Sequence, residues 1–214
     1  RRSAGRTMIT VRGTSHIASG DLDDIRAAVA TRDPDVVAVE LDERRLHGLM
    51  QDDRDRSVRN PFLLLLTTVQ DYLGRKTGVT PGSDMLAAFE AARDHGIDVA
   101  LIDQDIGETL RKVRQVPLRE KVKLAGFVLL SPLVLRGAGP VDLDTVPADD
   151  TVQQLLVHLE VGFPRLYDVL VRERNDLMAR RLVRLDAEYG DVLAFVGAGH
   201  VEGIQERLGD RSAA

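Results

Sequence analysis

The sequence predicts an α/β fold, a central and mostly parallel sheet with helices on both faces. Three observations predict it: four short runs rich in Val and Ile, a helical pattern after each, and hydrophobicity that is nearly continuous within the runs. Strict alternation would mark a sheet with one wet face, whereas continuous apolar runs mark strands covered on both sides by crossover helices. The strands are expected at Met8–Arg12, at Asp35–Leu41 (DVVAVEL), at Asp98–Asp103 (DVALID) and at Asp191–Val196 (DVLAFV).

The helices follow from periodicity and end signals. Ser19 can cap a helix over Asp21–Thr31, whose early acids Asp21, Asp23 and Asp24 face the positive end of its dipole. Further helices are expected over Asp42–Met50, Pro61–Arg75 and Ser83–His95, the last stopped by Gly96. Ile106–Leu135 reads as helical in pieces, broken at Pro117 and Pro132, and Thr151–Glu160, Pro164–Glu188 and His200–Leu208 supply the rest. Gly137–Pro147 (GAGPVDLDTVP) reads as a connecting loop. Composition does not change across it, so one domain over residues 1–214 is expected.

Composition removes several classes of function. A chain of 214 residues can build one ordinary core, and 43% apolar with 29% charged residues is globular and not disordered. The net charge is -5 with both signs interspersed, and without a run of Lys or Arg nucleic acid is excluded as a partner. The absence of Cys rules out disulfides, thiolate metal sites and a Cys nucleophile, so any metal must take N and O ligands. No apolar run reaches the ~20 residues that cross a bilayer. A chain that starts without Met and stops at Ala214 reads as a soluble piece of a longer protein.

In open α/β sheets, ligands bind beyond the carboxyl ends of the strands. Here the four ends read Gly13-Thr14-Ser15-His16, Glu40-Leu41-Asp42, Asp103-Gln104-Asp105 and Gly197-Ala198-Gly199-His200. Two histidines and four carboxylates therefore fall at equivalent places on four strands. The glycines allow close backbone approach, and imidazole with carboxylate suits a divalent Zn, Mn, Co or Fe ion. Two His and one or two acids form the ligand set of a hydrolytic metal centre, in which metal-bound water is acidified to a pKa of roughly 7. The same histidines can instead act as general acid and base without metal, and spacing alone leaves both readings open.

Several blocks carry a resemblance: Gly13–His16, DVVAVELDERR (Asp35–Arg45), PGSDM (Pro81–Met85), LIDQDIGETLRK (Leu101–Lys112), RERNDLMARRL (Arg172–Leu182) and GAGHVEGI (Gly197–Ile204). In this order, from about residue 8 to 208, they resemble the TraB/PrgY family, whose name comes from plasmid proteins implicated in pheromone shutdown in conjugation. That family is similar to the Tiki metalloproteases and, more distantly, to erythromycin esterase and haem-binding ChaN-like proteins, which share two Gly-x-x-His motifs with acids between them. The resemblance implies His16 and His200 as metal ligands and Glu40 as ligand or general base. It also sets Asp84 as a further metal ligand in the place of a family Glu, a shorter carboxylate in the Gly82-Ser83-Asp84 block that reaches a metal only if the backbone moves inward, and Asp103 and Asp105 as an acidic pair with Arg111 nearby. The implied activity is metal-dependent hydrolysis of a peptide or protein. A non-catalytic module that sequesters a peptide is the alternative, and a haem sink a third reading. Relatives continue into C-terminal membrane helices, so membrane anchoring is expected only through segments outside this chain.

The other candidates each have a plainer reading. Arg44 and Arg45 can orient a substrate carboxylate through bidentate contacts, or form a solvated helix face. Arg172, Glu173 and Arg174 can reach the crevice from a long helix, or form a surface ion-pair cluster. His47, His95 and His158 lie within helical patterns and are expected in surface or local polar roles. The apolar stretches Phe62–Leu66 and Ala125–Leu135 are expected to be core helices, or else the interface of a homodimer.

Overall fold

The computed structural model describes residues 8–14, 21–51, 82–126 and 148–212. Four parallel strands form one sheet in the order β1-β4-β2-β3. They are β1 (Met8–Thr14), β2 (Val36–Val39), β3 (Asp98–Leu101) and β4 (Asp191–Gly197). Each forms where an apolar run was expected, and β1 and β4 run slightly further toward their glycines. Strands β2 and β3 are shorter than their apolar runs, yet pairing continues past them: Glu40 N donates to Phe195 O at 3.1 Å and Asp103 N to Leu41 O at 3.3 Å.

The β2 and β4 side chains show why the hydrophobicity is continuous. Val37, Val39, Leu193 and Phe195 pack against Ile25 and Val29 of α1 (Asp21–Arg32) and Met85, Ala88 and Ala92 of α3 (Ser83–Asp94). Val36, Ala38, Val192, Ala194 and Val196 face the other way, onto Met178, Ala179 and Leu182 of α7 (Glu173–Tyr189) and Ile204 of α8 (Ala198–Ser212). Alternate residues enter opposite cores, so both must be apolar. With Phe195 only 1% exposed, its removal would cost about 3–5 kcal/mol.

Between β2 and α3 lies α2 (Glu43–Met50), capped by Asp42, whose carboxylate accepts from Arg44 N at 3.0 Å and Arg45 N at 3.2 Å. After β3, α4 (Ile106–Gln115) is capped by Asp105, and helix resumes over 118–126 beyond Pro117, the break expected there. A third cluster joins Val113 and Val116 to Leu166 and Val169, which brings α4 against α6 (Pro164–Tyr167) and the turn after it; α5 (Ala148–Gly162) adds Leu159. The expected single helix over Pro164–Glu188 is interrupted, because residues Asp168–Arg172 form a π-helical turn between α6 and α7. Such turns insert a residue and re-aim the side chains that follow, and they are frequent at functional sites. Ser19, Pro61–Arg75, Phe62–Leu66, Gly137–Pro147 and most of Ala125–Leu135 lie outside the described residues. No helix among the described residues is long and apolar enough to cross a membrane.

Candidate functional site

Strand β4 lies between β1 and β2, so the carboxyl ends of all three open onto one place. Glu40 follows β2 directly, and its side chain is only 10% exposed. Its Oε2 accepts from the Gly197 amide at 2.7 Å, across the strand pair. A Cβ on residue 197 would stand 3.3 Å from that oxygen, so glycine gives the carboxylate room to reach the backbone. Its Oε1 pairs with Arg174 Nη2 and lies 3.4 Å from His200 Nε2. His200, on the first turn of α8, is buried and contacts Asn175 Oδ1 through Nδ1 at 2.6 Å.

An ionic cage surrounds this pair. Arg174 donates through Nε to Asp103 Oδ1 at 2.8 Å, through Nη2 to Asp103 Oδ2 at 2.7 Å, and through Nη1 to the Leu170 carbonyl of the π-turn at 3.1 Å. Arg45 joins Asp42 at 2.8 Å, the Glu40 carbonyl at 3.1 Å and Asp103 Oδ2. Asp103 is further fixed by the Gln104 amide at 2.7 Å, and its carbonyl by Arg181 at 2.6 Å. Buried charges persist only when paired and hydrogen-bonded, and each is so here.

The cage sets the protonation states. Burial alone would raise the Glu40 carboxyl, but the His200 ring when protonated, the Arg174 guanidinium, the Gly197 amide and Arg45 outweigh it and hold it at about 2. For His200, burial lowers the pKa and Arg174 and Arg45 add to that; the opposing pull of Glu40 and Asp103 does not prevail. Burial also opposes the charge on Arg174, yet Glu40 and Asp103 raise its pKa above the usual value. At neutral pH the centre is therefore an uncharged imidazole beside an ionised carboxylate, with Arg174 charged behind it.

Of the residues singled out in the sequence, Glu40, His200, Arg45, Asp103 and Arg174 come together. Arg44 and Asp105 pair at 3.4 Å in a more exposed position, with Arg44 68% and Asp105 50% exposed. Asp84 is buried in the first turn of α3, which packs on the sheet face opposite α7 and α8. Arg111 pairs with its helix neighbour Glu108 on the surface. Arg172 turns to Asp168, Glu160 and the Tyr167 ring. Glu173 reaches Lys112 at 2.8 Å, and Lys112 also donates to Gln104 Oε1 at 2.8 Å. His16 lies outside the described residues. His47, His95 and His158 contact residues of their own helices, Gln51, the Ala91 carbonyl and the Gln154 carbonyl.

Sequence reasoning named Arg172, Glu173 and Arg174 alike and passed over Asn175. The helical period held the signal: Asn175, Met178, Ala179 and Leu182 share one buried stripe, and a polar residue in an apolar stripe needs a reason. Arg172 precedes Arg174 by two residues, which is roughly 200° around a helix and hence the far side.

A parallel sheet whose carboxyl edge buries a neutral imidazole against a caged glutamate defines an α/β protein with its polar centre made by strand-end loops. The family model TraB/PrgY/gumN matches residues 2–211, and the chain belongs to that family. It is 32% identical over 211 residues to an uncharacterised protein of Methanocaldococcus jannaschii, covering 92% of this chain and 52% of that protein. It is 27% identical over 236 residues to a TraB domain-containing protein of Bos taurus and 26% to one of Homo sapiens, covering 92% of this chain and 62% of each. The chain thus spans 52% to 62% of the length of these relatives.

Proposed function

We propose that this domain is the hydrolytic part of a metal-dependent enzyme acting on peptides or proteins, with Glu40, His200 and His16 as the ligand set. One observation supports the reading above others: the Nε2 of a buried, uncharged imidazole stands 3.4 Å from Oε1 of a carboxylate held ionised. Such a pair of N and O donors suits Zn, Mn, Co or Fe. Among the described residues no group of three or more His, Asp or Glu gathers to hold a metal, so the set needs His16. His16 follows by two residues Thr14, which is paired with Gly197, the residue whose amide holds Glu40.

When bound, the metal would supply acidified water and polarise a scissile carbonyl. The chain's own groups do the positioning. Gly197 and Arg174 fix the Glu40 carboxylate, Asp103 fixes Arg174, and burial keeps bulk water from screening them. Arg44, exposed beside Asp105, is available to a substrate carboxylate.

A second reading, a peptide-sequestering module without catalysis, is favoured by a different fact. Both Glu40 oxygens already have donors, Arg174 on Oε1 and the Gly197 amide on Oε2, as in a purely structural carboxylate. Incubation with a peptide mixture and Mn²⁺, Co²⁺, Zn²⁺ or Fe²⁺, followed by mass spectrometry, separates the two. The hydrolase reading expects metal-dependent cleavage, reduced at least about 100-fold by Glu40→Gln or His200→Ala. Tight peptide capture without cleavage under every metal would replace it with the second.

A further inference from the structure

The His200 ring touches two oxygens, one at each nitrogen, and the contacts are unequal. Nδ1 to Asn175 Oδ1 is 2.6 Å, whereas Nε2 to Glu40 Oε1 is 3.4 Å. A neutral imidazole carries one proton and can donate only once. Were that proton on Nε2, it would face an ionised carboxylate in a buried site, and N–H···O⁻ contacts of that kind close to about 2.7–2.9 Å. The Glu40 contact stays open while the Asn175 contact is closed, so the proton sits between Nδ1 and Oδ1. Two lone pairs then face each other across the 3.4 Å gap.

The Asn175 amide is itself held in place. The residue is 3% exposed on α7, three positions beyond the π-turn at Asp168–Arg172. Its Nδ2 lies against the backbone of α8 at Gly203, where a Cβ would overlap the amide nitrogen. The Gly203 carbonyl accepts from Arg207 Nη1 at 2.6 Å, and Arg207 also pairs with Asp176 of α7. Gly203 and His200 lie one turn apart on α8, so one residue admits the amide and the other receives its oxygen.

We infer that Asn175 is a positioning residue that fixes His200 in the Nδ1–H tautomer and presents a bare Nε2 to Glu40, with Gly203 as the notch that admits its amide. An outer hydrogen bond of this type orients an imidazole and leaves the other nitrogen free to bind a cation. The functional meaning rests on the metal-site reading proposed above; the tautomer itself rests on the two unequal contacts.

Long-range ¹H–¹⁵N correlation spectra of ¹⁵N-histidine-labelled protein at neutral pH in chelator test it, with His200 assigned by its loss in His200→Asn. The wild type should show a protonated Nδ1 and an unprotonated Nε2. Asn175→Ala and Gly203→Ala should shift the proton toward Nε2, and Asn175→Asp, which keeps an acceptor in place, should retain Nδ1–H. A wild-type ring protonated at Nε2, or at both nitrogens, overturns the inference. So does an Asn175→Ala protein that folds with the wild-type tautomer. If the Ala variants fail to fold, the wild-type and Asn175→Asp spectra decide. Titration with Zn²⁺ alone should perturb Nε2 of the wild type and bind about 10–100-fold more weakly to Asn175→Ala. An Nδ1–H ring whose Nε2 ignores Zn²⁺ would remove the metal reading and leave the positioning role supported.

Discussion

Acid–arginine pairs occur in two settings in this molecule, at the strand ends and on the helix surfaces, and the contrast shows what sequence spacing measures. At the strand ends, Glu40 and Asp103 share Arg174, Asp103 also binds Arg45, and the acid side chains are 10% and 2% exposed. On the surface, Arg172 pairs with Asp168 and Glu160, and Arg44 with Asp105, with the arginines 48% and 68% exposed. Some surface pairs are local, Arg172 and Asp168 being four residues apart, whereas Arg44 reaches Asp105 from far along the chain. Members of the buried group come from distant parts of the chain, Glu40 and Arg174 being 134 residues apart. Solvent screens the first kind, and side-chain entropy offsets most of what remains. For the second, burial means that removing one partner leaves a charge with nowhere to go.

The largest expected effect follows from that difference. Replacing Arg174 by Met should destabilise the fold by about 3–5 kcal/mol, read from urea unfolding, because Glu40 and Asp103 lose their shared cation. Adding Asp103→Asn to the same chain should recover part of the loss. An Arg174→Met protein as stable as wild type would break the comparison.

Acidification should produce the next effect, measured in chelator. Both central groups have lowered pKa values in the folded chain, Glu40 at about 2 against 4.5 and His200 below 6.5. The unfolded chain then binds these protons more readily than the folded one, so stability must fall as pH falls. The loss begins as pH drops through about 6.5, from His200, and continues below about 4.5, from Glu40, toward 2. The urea midpoint followed from pH 8 to pH 4 should trace this decline, and His200→Asn should flatten its upper part. A midpoint that rises between pH 6.5 and 5 would mean that the imidazole gains a proton on folding.

The smallest effects belong to the surface. Arg172→Ala and Arg44→Ala should each shift stability by less than about 1 kcal/mol, and raised salt should shrink the difference. A loss from Arg172→Ala equal to that from Arg174→Met would show that the two settings do not differ.

How much of this was legible in the sequence follows the same division. Strands were readable because burial on both faces leaves a run such as DVVAVEL almost no polar alternatives, and the ends of those runs located Glu40, Asp103 and His200. The caps Asp42 and Asp105 were not read as such, although the amides they satisfy lie only two and three residues ahead. The partners on α7 were much less legible than the strands. Whether Arg172 or Arg174 faces the sheet depends on helix phase, and the π-turn at Asp168–Arg172 resets that phase without a marker in composition. The choice of Asn175 depends on Gly203 lying across from it on α8, a contact between residues 28 apart in number that neither residue type announces. Strand and loop positions are local information, whereas the second layer of a site is set by how helices cross.

Metal content tests the central claim most directly. Protein purified without chelator, and without a metal-charged resin, should carry close to one equivalent of Mn, Co, Zn or Fe by elemental analysis. Glu40→Gln and His200→Ala should each lose it while unfolding cooperatively, and Arg172→Ala should keep it. A wild-type chain that binds no divalent ion even when each is supplied in excess, or folded variants that retain a full equivalent, would contradict the assignment of Glu40 and His200 as a metal-holding pair.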